Sequence, residues 1–238
     1  SIENKIIIIT GGSRGIGFYL ATELSKQGAI VYALSRTLPK NNKKDANLNF
    51  IKCDITNKKK FQLICRNIIK KNSRIDVLIN NAGISSPSNS EIYDEKDWLK
   101  TIQTNLTSSF TCSQIVLPYM KKQKQGSIIN VTSINSILAF PNNPAYIASK
   151  GGTRMLTKSL AKEFGPKGIT SNVISPGPIA GERDDPEMAI HIEEMVDRVP
   201  IGRLGTGEEV AAACVLLTSD RGSFINGQMI QINGGAET

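Results

Sequence analysis

The sequence predicts an α/β fold: a doubly wound parallel sheet of about seven strands, helices on both faces, and a small insertion over one edge. Three observations carry this. Short β-branched runs alternate with amphipathic stretches from one end of the chain to the other. The runs lack clean polar–apolar alternation, which marks strands covered by helices on both faces. A glycine-rich turn follows the first run directly and opens the first helical pattern. The 238 residues suit one α/β domain. No Pro/Ser/Gly-rich linker divides them and no internal repeat appears, so residues 1–238 are read as a single domain.

Lys5–Thr10 (KIIIIT) is short, β-branched and stopped by glycines, the mark of a buried strand. Gly15–Gln27 follows as a helix and Ala29–Leu34 as the second strand. The strand series continues with Leu48–Cys53, Ile75–Ile79, Ser127–Thr132, Thr170–Ile174 and Met229–Ile232. Helical patterns over residues 57–71, 95–121, 144–164 and 207–218 fill most of the gaps. The rhythm breaks at residues 176–200, where a Pro-, Gly- and acid-rich stretch (PGPIAGERDDPEM) carries one short amphipathic segment. It comes after a strand, where α/β folds place ligand-covering loops, so residues 177–200 are read as a lid.

Composition narrows the function classes. Hydrophobic content of 39% and charged content of 21% are ordinary globular values and exclude a disordered chain. The apolar run near the start is four residues, too short for a signal sequence, and no stretch approaches the roughly 20 apolar residues of a membrane span. A soluble cytoplasmic protein is expected, or one of an organellar matrix if a transit peptide has been removed. Cys53, Cys65, Cys112 and Cys214 are far apart in sequence, which points to free thiols in a reducing compartment and to no metal site. His191, the one histidine, lies in the lid and carries no ligand pattern. The net charge of +8 comes with lysine clusters at 40–44, 58–60, 70–71 and 121–124. These are scattered and free of interleaved aromatics, so nucleic acid is not an expected partner and solvated helix ends are.

The turn after the first strand reads Thr10-Gly11-Gly12-Ser13-Arg14-Gly15-Ile16-Gly17. Gly11 permits a tight turn, Gly15 lets a pyrophosphate approach the backbone, and Gly17 lets the helix pack close to the sheet. The helix N-terminus supplies unpaired N–H groups and a positive dipole for the anion. A dinucleotide is the expected ligand. At the end of the second strand, where an acid would bind a ribose 2′-hydroxyl, stand Ser35 and Arg36. Arg14 is a second base within the loop, and two guanidiniums suit a 2′-phosphate. NADP(H) is therefore expected over NAD(H).

Tyr146 and Lys150 are four apart at the start of a predicted helix and share one face. An ammonium beside a phenol favours the phenolate, which makes Tyr146 a candidate acid for carbonyl reduction or base for the reverse reaction.

These pieces join others in a fixed order: TGGSRGIG at 10–17, Asp54 after the third strand, NNAG at 80–83, Asn105 in TNLTSSF, Ser133 in NVTS, YIASK at 146–150, SPG at 175–177 and INGG at 232–235. With this set the chain resembles the short-chain dehydrogenase/reductase family over nearly all its length, which implies a Rossmann-type fold. The resemblance implies that Ser133 bonds the substrate carbonyl, Tyr146 delivers the proton and Lys150 holds the nicotinamide ribose while lowering the tyrosine pKa. It implies that Asn105 steadies a helix and a water linking Lys150 to solvent, and that Asp54 and Ile55 meet the adenine. Asn81, Ala82 and Gly83 would line the ribose side, with Pro176, Gly177 and Ile179 near the nicotinamide. The pattern departs at Gly181, where many members carry Thr against the carboxamide.

Within the family the chain is most similar to 3-oxoacyl-(acyl-carrier-protein) reductases, through TNLTSSF, SLAKEFGPKGIT, VPIGRLGTGEEVA and SFINGQMIQINGG. This implies reduction of a 3-oxoacyl thioester. Lys121–Lys124 with Lys167 would meet an acidic carrier protein, although the lid itself is acidic (Glu182, Asp184, Asp185, Glu187, Glu193, Glu194). The rival readings are an alcohol dehydrogenase for a sugar, polyol, steroid or other secondary alcohol, and a noncatalytic NADP-sensing protein. The resemblance also implies a homotetramer, with the helices at 95–121 and 144–164 at one interface and the C-terminal strand and its preceding helix at another.

Overall fold

In β1 (Ile6–Thr10) every residue is buried, and the side chains of one isoleucine run part to opposite sides. Ile7 and Ile9 enter one core, Ile6 and Ile8 the other. A fully buried isoleucine contributes roughly 1.5–3 kcal/mol relative to exposure, so this strand alone anchors both layers. The computed structural model describes residues 1–39, 45–181 and 195–236.

Beside β1 lie β2 (Ile30–Ser35), β3 (Leu48–Lys52), β4 (Val77–Asn80), β5 (Gly126–Val131), β6 (Ile169–Pro176) and β7 (Met229–Ile232). Among the described residues they form one parallel sheet in the order β3-β2-β1-β4-β5-β6-β7. The chain winds outward from β1 to β3, then returns to β4 on the other side of β1. That reversal opens a crevice at the carboxyl ends of β1 and β4, where α/β sheets bind their ligands.

Helices α1 (Gly15–Lys26) and α6 (Gly207–Thr218) cover one face through Leu20, Leu24, Val210 and Leu217. The other face is covered by α2 (Lys58–Asn72), α4 (Ser108–Gln123) and α5 (Pro144–Phe164), through Phe61, Ile64, Val116 and Leu160. The helix starts carry local signals. Asn57 Oδ1 accepts from the Lys60 N–H at 3.0 Å and caps α2. Thr206 and Glu209 form a reciprocal capping box on α6. Pro144 occupies the first turn of α5, where its missing N–H is harmless.

The expected elements are present, with ends shifted by one or two residues. One differs in kind. The helix expected over 95–121 runs on to Gln123 but is interrupted: α3 (Glu95–Ile102) passes through a π-helical turn at Gln103–Thr107 before α4. The Asn105 carbonyl there accepts from the Ser109 and Thr153 hydroxyls at 2.9 and 3.4 Å. A single-residue widening of a helix leaves hydrophobic periodicity nearly intact, so a pattern search passes over it.

Part of the lid is outside the described residues, including Glu182, Arg183, Asp184, Asp185, Glu187, His191, Glu193 and Glu194, as are the lysines among 40–44. Of the remainder, Ile179 pairs with Gly205 in a parallel bridge and Met195–Arg198 forms a short 3₁₀ turn. No described helix is long and apolar enough to cross a membrane.

Candidate active site

The site begins at the glycine loop. Gly11 and Gly15 hold φ of +71° and +51°, the left-handed region that favours glycine. At Gly17 space decides: a Cβ would lie 2.2 Å from the Gly11 carbonyl oxygen. Asn81 Nδ2 donates to the Thr10 and Gly11 carbonyls, both at 3.1 Å. Thr10 Oγ1 in turn accepts from the Asn81 and Ala82 N–H groups. The Asn81 side chain thus ties the loop to the end of β4.

Above this loop lies a cleft of about 1210 Å³. Its walls include Gly11, Ser13, Arg14, Gly15, Ile16 and Gly17, then Ser35, Arg36, Asp54 and Ile55, and then Asn81, Ala82, Gly83, Tyr146 and Lys150. Residues from five separate stretches of sequence meet in one crevice. At its outer end, Ser35 Oγ is buried and has no protein partner among the described residues. Asp54 is exposed and accepts from the Thr56 N–H and hydroxyl at 2.9 and 2.7 Å. Partial burial pushes its carboxyl up, but the two Thr56 hydrogen bonds and the nearby Arg36 charge outweigh this and hold it below the usual aspartate value.

At the inner end α5 presents Tyr146, half-buried, and Lys150, buried. Lys150 Nζ donates to the Val131 carbonyl at 2.9 Å and stands 5.5 Å from the Tyr146 ring centroid. One cation, held by the end of β5, therefore lies against the phenol. Asn105 stands behind it. Its Oδ1 accepts from the Ile84 N–H at 2.8 Å, and its Nδ2 donates to the Ile84 carbonyl at 2.9 Å and to Ser149 Oγ at 3.0 Å.

Five expected residues do not line the cleft: Asn105, Ser133, Pro176, Gly177 and Ile179. Ser133 follows β5 and caps a 3₁₀ turn at Ile134–Ser136, with its Oγ donating to Asn135 Oδ1 at 3.2 Å. Its neighbour Thr132 does reach the wall. Ile179 is fully buried in the α1/α6 core. Gly177 presses on the residue that follows β7, where a Cβ would lie 2.8 Å from Asn233 Cα. Gly181 holds φ of +66°, with the Tyr19 hydroxyl 3.2 Å from where a Cβ would sit. A β-branched Thr would be strained in that conformation.

The sequence reading missed Lys100, Gln103 and Thr104, which bring α3 and the π-helical turn to the cleft wall. Lys100 and Thr104 are four apart, the spacing that would have placed both on one face with Asn105 beside them. The basic patch lies away from the cleft. Lys121–Lys124 end α4 just before β5, and Lys167 precedes β6, so both sit at the amino edge of the sheet, opposite the cleft.

A family model described as enoyl-(acyl carrier protein) reductase matches residues 11–237. The chain belongs to the short-chain dehydrogenase/reductase family. As a member it is an oxidoreductase. The 3-oxoacyl-(acyl-carrier-protein) reductase FabG of Thermotoga maritima is 37% identical to it, with 98% of each chain covered. The FabG of Chlamydia trachomatis is 35% identical over 98% of each. Among solved structures, the ligand-free aldohexose dehydrogenase of Thermoplasma acidophilum superposes with a TM-score of 0.90 at 31% identity, covering 99% of this chain and 94% of its own. The region matched by this short-chain dehydrogenase/reductase opens within the glycine loop and includes Asn105, Ser133, Tyr146 and Lys150.

Proposed function

We propose that this protein is an NADPH-dependent reductase of ketone carbonyls, acting on a 3-oxoacyl thioester carried by acyl carrier protein or coenzyme A. One observation carries the reading: the Tyr146–Lys150 pair lines the same cleft as the glycine loop, at the opposite end from Ser35 and Arg36.

The residues fit the dinucleotide. The glycine loop offers a cradle that a Cβ would fill, and the α1 N-terminus favours a pyrophosphate. The buried, unpartnered Ser35 hydroxyl suits a phosphate oxygen, with Arg36 and Arg14 beside it in the cleft wall. When bound, NADPH supplies the hydride. Tyr146 gives its proton to the substrate oxygen and Lys150 stabilises the phenolate left behind, while Ser133, beside the wall next to Thr132, would turn its hydroxyl from Asn135 to donate to the same oxygen. Asn105 acts from behind, fixing the loop after β4 and the start of α5.

The thioester reading draws on the curated relatives of Thermotoga and Chlamydia, which are named for that reaction. Oxidation of an aldohexose or another secondary alcohol is the second reading, favoured by the Thermoplasma neighbour. A homotetramer belongs to the proposal as well: Phe110 and Met155 are 45% and 60% exposed on α4 and α5, and Phe224 is fully exposed before β7.

The test is the initial rate of NADPH and of NADH oxidation with an acetoacetyl thioester, with Tyr146→Phe as control. Fast NADPH turnover lost in the variant supports the reading. Tight NADPH binding without turnover, together with aldohexose-dependent reduction of NADP⁺, transfers the assignment to the second reading.

A further inference from the structure

Behind the Tyr146–Lys150 pair runs a closed ring of buried hydrogen bonds that links two helices to two strands. Asn105 Nδ2 donates to Ser149 Oγ at 3.0 Å, and Ser149 Oγ donates to the Tyr146 carbonyl at 2.6 Å. One turn further along α5, Thr153 Oγ1 donates to the Ser149 carbonyl at 2.8 Å, and Thr157 Oγ1 donates to the Thr153 carbonyl at 2.9 Å. Thr157 Oγ1 also accepts from Asn130 Nδ2 of β5 at 2.9 Å. Asn130 Oδ1 accepts from Asn80 Nδ2 of β4, its register partner, at 2.8 Å. Asn80 Nδ2 also donates to Ser113 Oγ at 3.2 Å, and Ser113 and Ser109 carry the chain along α4 back to the Asn105 carbonyl.

Every member of this ring is buried, and Asn130, Ser149 and Thr157 have no measurable exposure. The ring meets the site at two points. Ser149 precedes Lys150 and bonds the carbonyl of Tyr146, while Asn130 precedes Val131, whose carbonyl receives the Lys150 ammonium. Both the helix that carries the pair and the strand end that holds its cation are thus pinned to one frame. Asn80 Oδ1 has no partner among the described residues, but each link of the ring itself is made, and removing one link leaves its neighbours unpaired in a low-dielectric interior.

We propose that Ser149, Thr157 and Asn130 are positioning residues for the reaction, fixing Tyr146 and Lys150 against the end of β5 through this ring. The proposal rests on Tyr146 being the proton donor. None of the three lines the cleft, so they act only through Tyr146 and Lys150, while the glycine loop and the Ser35–Arg36 end, which hold the rest of the dinucleotide on that reading, lie outside the ring.

The experiment uses Thr157→Val, which keeps the side-chain shape and removes the hydroxyl, with Thr157→Ser and Ser149→Ala alongside. NADPH affinity is read from nicotinamide fluorescence, and kcat and KM from turnover well below the Tm of each variant. Thr157→Val and Ser149→Ala are expected to lower kcat about 10–100-fold, the scale of small misplacements of reacting groups, with NADPH affinity within about twofold of the parent. Thr157→Ser, which restores the hydroxyl, is expected to recover most of the rate. A Thr157→Val protein with reduced Tm but the parent's kcat shows a purely structural ring and overturns the proposal, as does failure of Thr157→Ser to recover a lost rate. Tyr146→Phe separates the two readings: full activity there sinks the assignment of the acid, whereas its loss with unchanged kcat in Thr157→Val sinks the ring alone.

Discussion

Against the upward push of partial burial, the Thr56 hydrogen bonds hold the Asp54 carboxyl low, and the Arg36 charge adds to them at a distance. The outer end of the cleft carries two guanidiniums, Arg14 and Arg36, and one carboxylate, Asp54. On the NADPH reading, replacing Arg36 with Ala would remove one charge-assisted partner of a 2′-phosphate, a contact of about 1.5–3 kcal/mol. The expected outcome is an NADPH KM raised by about 10–100-fold with the NADH KM little changed, read from parallel initial-rate series. Gly181 gives a second test. Gly181→Thr forces a β-branched residue to φ of +66° and is expected to lower stability by about 1–2 kcal/mol, measured by chemical denaturation. The same residues show why sequence reading succeeds unevenly. Gly11 and Gly15 were legible because left-handed backbone leaves a compositional trace. The occupation of Asn81 by its own loop was not, since it depends on β1 and β4 being neighbours.

The elements carry their own switches. Glu209 caps α6 and also binds Arg203 in two contacts, at 2.6 and 3.0 Å. Hydrogen bonds from Arg203 and the Thr206 N–H lower its pKa to about 2. A depressed carboxylate contributes stability that is present in full above its unfolded value and lost as pH falls towards the folded one. Stability is therefore expected to decline through the acid range down to about pH 2, and Glu209→Gln should flatten that decline in acid unfolding curves. Thr206→Ala removes the other half of the capping box and is expected to cost about 1 kcal/mol. The π-helical turn marks the limit of pattern reading at this scale. Residues 95–121 have helical periodicity throughout, and the turn is set by partners on α5 that periodicity does not encode.

Across the whole molecule the four cysteines, scattered in sequence, are all buried. Burial pushes the Cys65 thiol up to about 12, and raises Cys53, Cys112 and Cys214 as well. Few thiolates exist near neutrality, so the native protein is expected to react slowly with a disulfide reagent, with all four thiols released on unfolding. On the tetramer reading, Phe110→Glu together with Met155→Glu is expected to shift the sedimenting species to smaller mass.

Much of this architecture follows from local patterning. Buried β-branched runs, glycine turns and capping residues act within a few positions of chain, and they suffice for an α/β sheet wound on both sides of its first strand, with a dinucleotide loop at its start. The family motifs, read in order, add Tyr146 and Lys150. Tertiary structure alone decided the rest: that Asn105 and Ser133 lie behind or beside the cleft wall, that the Lys121–Lys124 patch faces the opposite edge, and that Lys100, Gln103 and Thr104 join the site. Those outcomes depend on which strand lies next to which and on where a helix ends relative to the sheet. Contacts across such distances leave no periodic mark in the sequence, because each partner satisfies its local rules equally well without the other.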